Sequence, residues 1–195
     1  MPQDARLASR LLSCLEREIL PATEHAVAAG NKIFGAALLR RDSLETVLIG
    51  TNNETACPLW HGEVHTIKLW HERLGGRPGP GELLFLSTHE PCSMCLSAIA
   101  WAGFPSFHYF FSHEDSRDAF AIPHDLRILA EVFGLRPGGY RRSNAFWNGI
   151  AISDLIAAAA DRNALQARAE AIRAAYAQLS ARYQAGKEGN RIPLR

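Results

Sequence analysis

Apolar positions recur along this chain with two different periods, and the change from one to the other marks out its elements. From Ala5 to Ala29 they fall at amphipathic helical spacing, with Pro21 as the point where the helix bends. Lys32 to Arg40 and Thr46 to Gly50 flank the polar stretch Arg41-Asp42-Ser43 and form a hairpin pattern. Val64, Ile67, Leu69 and Leu74 are spaced for a helix, and the glycine and proline run from Gly75 to Gly81 breaks it. Leu83 to Thr88 is a short apolar strand, and Pro91 suits the first turn of a helix through Trp101. From Ser106 to Phe111 the period becomes two, with Phe107, Tyr109 and Phe111 alternating with Ser106, His108 and Phe110. Pro123 to Phe133, Asn144 to Asp161 and the alanine-rich stretch from Arg162 to Gln184 are helical, and Lys187 to Arg195 is a loose tail. Strands separated by helices in this order predict a mixed sheet flanked by helices.

Composition narrows the class. With 195 residues, 47% hydrophobic and 21% charged, the chain can bury a core as a single globular domain. No apolar run approaches the ~18 residues that span a bilayer, and the first residues lack a signal-peptide core, which predicts a cytoplasmic protein. Four cysteines suit a reducing compartment better than a disulfide framework. Basic and acidic residues number 21 and 20, leaving a formal charge of +1, so there is no bulk positive field for a polyanion. That weighs against a nucleic-acid substrate.

Chemistry concentrates in His61-Gly62-Glu63 and Pro91-Cys92-Ser93-Met94-Cys95, an H-x-E…P-C-x-x-C pattern. One imidazole and two thiolates make a tetrahedral zinc site with a fourth position free for water, the open form used in catalysis. Glu63 lies near the metal and outside the ligand set, where it can move protons. The 27 residues from Val64 to Glu90 provide one helix, a turn and one strand, enough to bring two helix starts together. Cys92 and Cys95 fall in a first helical turn, where free N–H groups favour thiolate. Cys57, four residues before His61, is the one cysteine near enough in sequence to close a structural site, and it fits better as a packing thiol. His65, at i+4 from His61, could share a metal on one helix face, but the two cysteines make it dispensable.

This pattern resembles that of the zinc deaminases of nucleobases, and the chain is identified as a member of the cytidine deaminase-like superfamily. Thr88 through Gly103 is most similar to the branch holding guanine deaminases, cytosine deaminases and tRNA adenosine deaminases. The similarity runs from about Asn31 to about Phe111, with Phe34-Gly35-Ala36-Ala37 resembling the branch's first strand and Ile33 standing where proline is usual. Gly62 departs from the commoner alanine and is shared with fungal-type cytosine deaminases. The resemblance implies a three-layer α-β-α fold with extra C-terminal helices. It divides the chain into a deaminase domain at 1–184, with its core at 31–111 and a helical extension at 113–184, and a tail at 185–195.

For function the resemblance implies a Zn2+-dependent hydrolase that releases ammonia from a free nucleobase or nucleoside of the cytosine or guanine type. Glu63 is its acid–base residue, and His61, Cys92 and Cys95 are its metal ligands. Asn52, Phe34 and Gly62 are the substrate-binding candidates; Asn53 is an equally legal register for Asn52. Trp60 and Trp101 are weighed as further pocket candidates, with Trp101 a better fit to the core. Phe146, Trp147 and Asp154 are candidates for closing the pocket. A homodimer is expected by resemblance. The alternatives are a tRNA-editing adenosine deaminase, for which Arg141-Arg142 and the tail's Lys187, Arg191 and Arg195 make a modest basic footprint, and an inactive zinc-stabilised scaffold.

Overall fold

The computed structural model describes residues 3–136 and 139–194. The chain opens with one helical run in three parts: α1 (Gln3–Cys14), a π-helical turn (Leu15–Ile19) and α2 (Leu20–Ala28). Pro21 has no N–H, so the ladder must adjust around it. The adjustment sits just before the proline, where Leu20 N–H reaches back five residues to Leu15 O and Thr23 Oγ1 donates to Ile19 O at 2.8 Å. Leu11, Leu12, Leu15 and Ile19 are buried, which is the apolar stripe the sequence shows.

β1 (Gly35–Arg40) and β2 (Thr46–Thr51) form the expected hairpin, and β3 (Leu83–His89), β4 (Ser106–Phe111) and β5 (Asn148–Ala151) complete a five-stranded mixed sheet of order β2-β1-β3-β4-β5. β1 is antiparallel to both neighbours, whereas β3, β4 and β5 run parallel. Every residue of β3 and β4 is buried, because both sheet faces are covered. On one face Ala37, Leu39, Leu84 and Leu86 pack with the N-terminal helices and with α7 (Ile152–Ala158) and α8 (Arg162–Gly186). On the other, Ala36, Leu38, Phe85 and Phe107 pack with Trp70 of α3 (Gly62–Leu74) and Leu96 and Ile99 of α4 (Ser93–Trp101). The short helices α5 (His113–Asp118) and α6 (His124–Glu131) follow β4.

Four sequence expectations shift. The first strand begins at Gly35 rather than Lys32, because Lys32 turns inward as a buried ion-pair partner. Pro91 lies outside α4, whose N-cap is Cys92. The stretch 144–161, expected to be wholly helical, contains β5; at four residues the strand is too short for its period to show before Ile152 and Ile156 begin the helical one. Gly149 is required there, since a Cβ would lie 2.7 Å from the Phe107 ring. The end of the chain is not loose: a 3-10 turn at Lys187–Gly189 leads to Asn190, whose Nδ2 donates to Gly30 O, and to Ile192, which is 1% exposed.

Candidate functional site

Two helix starts build the site. β2 ends at Thr51, and the loop that follows delivers His61 as the extended N-cap of α3, with φ −64° and ψ 159°. This start presses on the sheet so closely that a Cβ on Gly62 would lie 2.8 Å from Gly35 Cα. β3 delivers Cys92 as the N-cap of α4 and Cys95 one turn inside it. The side-chain donor atoms of His61, Cys92 and Cys95 all lie within 4.8 Å of one another. One imidazole and two thiols held at that spacing are a donor set that zinc accepts while keeping one position for water, so the residues fit the metal.

Electrostatics point the same way. The Cys92 thiol is held well below its usual range by the hydrogen bond to Cys95, against the effect of burial, and by His61, whose Nδ1 lies 3.6 Å from Cys92 Sγ. Burial, and then the charge on Cys92, push Cys95 up. Burial works against protonating His61, yet Cys92, Glu54 and Glu63 around it raise the imidazole to about 9. Glu63 is 5% exposed and raised by burial and by Cys92; its Oε1 accepts from Ser87 Oγ at 2.7 Å and its Oε2 from Cys95 Sγ at 3.2 Å. So many acidic groups around one imidazole form a setting that a bound dication relieves.

The cavity beside these residues has a volume of about 220 Å³ and is lined by Phe34, His61 and Cys92 from the core and by Ile192, Pro193 and Leu194 from the chain's end. Phe34 is thus a wall residue. Asn52 sits behind the wall with both ends of its amide taken up: Nδ2 donates to Glu54 Oε2 at 2.6 Å, and Oδ1 accepts from Gly62 N at 2.5 Å. Asn53 is not among the residues lining the cavity, and its backbone N–H donates to Trp60 O. Trp60 stacks on His65, whose Nδ1 bonds Thr51 O, and Cys57 is a partly buried free thiol; neither His65 nor Cys57 joins the donor cluster. Trp101, expected in the core, is 92% exposed, since it lies at the end of α4 facing outward. Phe146 and Trp147 border a separate hollow with Trp101, and Asp154 is exposed in the first turn of α7.

Three features of the cavity had no sequence signal. Lys32 and Glu54 form a buried ion pair at 2.8 Å, from positions 22 apart in irregular segments. Asp125, from the first turn of α6, lines the same cavity, makes no hydrogen bond among the described residues, and is pushed up to about 8 by burial and by Cys92. The third is the closing tail, which composition presents only as polar and loop-like.

Comparison with known proteins agrees with this geometry. The profile of the family described as the cytidine and deoxycytidylate deaminase zinc-binding region matches residues 12–111. A guanine deaminase of Bacillus subtilis (strain 168) is 33% identical over 107 residues, which cover 54% of this chain and 67% of the relative. Among solved structures, a mutant of NE0047 in complex with 8-azaguanine superposes with a TM-score of 0.54 at 20% identity, covering 86% of this chain and 80% of that one. NE0047 in complex with 2,6-diaminopurine gives 0.51 at 21% identity, covering 86% and 78%. At such identities the superpositions establish the fold, a mixed sheet with helices on both sides, and nothing further.

Proposed function

The chain belongs to the family of the cytidine and deoxycytidylate deaminase zinc-binding region, and from that premise we propose that it is a zinc-dependent hydrolytic deaminase of a free nucleobase or nucleoside, of the guanine or cytosine type. The observation that carries the reading is Glu63 Oε2, 3.2 Å from Cys95 Sγ and buried beside the three donors without being one of them. Zinc held by His61, Cys92 and Cys95 supplies a Lewis acid that lowers the pKa of its water toward ~7. Glu63 would pass one proton of the water to the ring nitrogen, which keeps it, and then pass the second, from the added hydroxyl, to the departing amine, so that an exocyclic C–NH2 and water become a carbonyl and ammonia. Its burial favours the protonated form after the first transfer. Ser87 holds the other carboxyl oxygen, which keeps the group directed at one place.

Phe34 lines the cavity and packs edge to face with His89, ring centroids 4.5 Å apart, which suits a flat aromatic substrate. Gly62 and Asn52 shape the substrate site through the α3 start. Asp125 is a second acid–base group lining the cavity: burial raises its carboxyl, which donates to a ring acceptor when protonated and accepts from a ring N–H when ionised. The guanine type is supported by the Bacillus subtilis relative. A homodimer belongs to the same proposal, with the exposed Trp101 and Phe146 beside the uncharged α4 as the face that a second copy would cover. A reducing, cytoplasmic setting suits two thiols that must stay free.

The test is ammonia release by zinc-loaded protein on guanine, cytosine, adenine, their nucleosides and a tRNA. Turnover of guanine or cytosine, or of their nucleosides, is expected. Turnover confined to tRNA, or absent from the whole panel, overturns the reading. Light scattering at micromolar concentration tests the dimer.

A further inference from the structure

Glu54 is the hub of the site, although nothing in the chemistry described above requires it. Its side chain is 1% exposed; Oε1 accepts from Lys32 Nζ at 2.8 Å and lies 3.6 Å from His61 Nε2, while Oε2 accepts from Asn52 Nδ2 at 2.6 Å. Lys32 is equally withdrawn, with its side chain 5% exposed. A pair this dry adds little net stability, because the cost of taking both charges out of water offsets their attraction. What it provides is a fixed negative group at one place, and that place is beside a ligand. His61 turns Nδ1 toward Cys92 Sγ, 3.6 Å away, and Nε2 toward Glu54. An imidazole that binds metal through one nitrogen must carry its proton on the other, and in metal sites that N–H usually faces a carboxylate or a carbonyl oxygen. At 3.6 Å the contact between Nε2 and Oε1 is electrostatic, longer than a hydrogen bond.

We propose that Glu54 is a positioning residue for His61, fixing the tautomer and direction of its ring so that Nδ1 meets the metal, with Lys32 and Asn52 holding the carboxylate in place. Asn52 also accepts from Gly62 N, so the same chain of contacts ties Lys32, Glu54 and the start of α3 into one unit. The inference rests on His61, Cys92 and Cys95 being the zinc ligands.

The experiment compares the parent protein with two double variants, Lys32→Met with Glu54→Leu and Lys32→Met with Glu54→Gln. Both remove the two buried charges together, so neither leaves an unpaired ion in the core. Zinc affinity is read by competition with a chromophoric chelator, and ligand geometry by the visible absorption of the cobalt(II)-loaded protein. The leucine variant is expected to bind zinc ~10–100-fold more weakly and to show displaced cobalt bands. The glutamine variant keeps an acceptor for the imidazole N–H and recovers most of the affinity. A folded leucine variant with parental affinity and spectrum overturns the proposal, as does a loss that glutamine fails to relieve. In the zinc-loaded parent, nitrogen NMR of the His61 ring is expected to show Nδ1 metallated and Nε2 protonated, and metal on Nε2 overturns the proposal whatever the variants do. Zinc bound without any change at His61 overturns the ligand set itself. Failure of ammonia release defeats only the deaminase reading.

Discussion

Two carboxyl groups with different surroundings divide the acid–base chemistry of the proposed mechanism. Glu63 is anchored by Ser87 Oγ, which donates to one oxygen at 2.7 Å, and its other oxygen lies 3.2 Å from Cys95 Sγ at the donor cluster, so its role is tied to one position. Glu63→Gln keeps the shape and removes the titratable proton. Zinc content and fold should persist while kcat falls by ~10²–10⁴ or more; turnover within a few-fold of the parent, on a zinc-replete sample, would remove Glu63 from the mechanism. Asp125 is different, since it makes no hydrogen bond among the described residues and burial and Cys92 push it up to about 8, from an ordinary value of 3.8. Between those two values the unfolded chain has lost this proton and the folded protein still holds it. Folding therefore loses stability as pH rises from about 4 to about 8, and the loss is constant above that. Asp125→Asn, compared with the parent in the presence of a chelator, should gain thermal stability by an increment that grows across this range. An increment that stays flat from about pH 4 to about pH 8 would show that the carboxyl is already ionised in the folded state.

At the scale of elements, the site depends on how near α3 comes to β1. Gly62 meets Gly35 at its backbone, and neither position has room for a methyl group: a Cβ on Gly35 would lie 2.8 Å from Ile19 Cγ2. Gly62→Ala should therefore cost ~1–3 kcal/mol, as expected for overpacking against backbone, and should weaken zinc binding because His61 precedes it at the N-cap. Urea denaturation of the zinc-loaded and metal-free forms checks both; an unchanged midpoint in both forms would mean that the helix start shifts freely. The sequence marks Gly62 as a departure from alanine but cannot give the reason, which lies in a strand 27 positions earlier. The same limit explains the other misses. α3, β3, α4 and β4 were legible because each carries its own period or breaker run. The β5 strand, the Lys32–Glu54 pair and the packing of Ile192 are set by neighbours distant in sequence, and short irregular segments carry no period to announce them.

The candidate donor cluster was legible for the same reason that it matters to the whole molecule: its residues lie at fixed offsets on two helix starts, and their spacing alone implies that the two helices meet. His61 belongs to α3, and Cys92 and Cys95 belong to α4; the two helices cover one sheet face together, through Trp70, Leu96 and Ile99. Among the described residues no helix is long and apolar enough to cross a membrane. A metal that joins α3 to α4 binds the folded arrangement and not the unfolded chain, and so adds its binding free energy to folding. Without it the site holds Glu63, raised by burial, against Cys95, itself pushed up by burial and by Cys92. Chelation should lower the unfolding temperature and restoring zinc should recover it, with a dependence on free zinc that follows mass action. Cys92→Ala should abolish that dependence, because one imidazole and one thiolate do not make a zinc site. A Cys92→Ala protein whose melting temperature still rises with zinc would place the metal elsewhere in the chain. A parent whose temperature ignores zinc would mean that α3 and α4 are held by their apolar contacts alone.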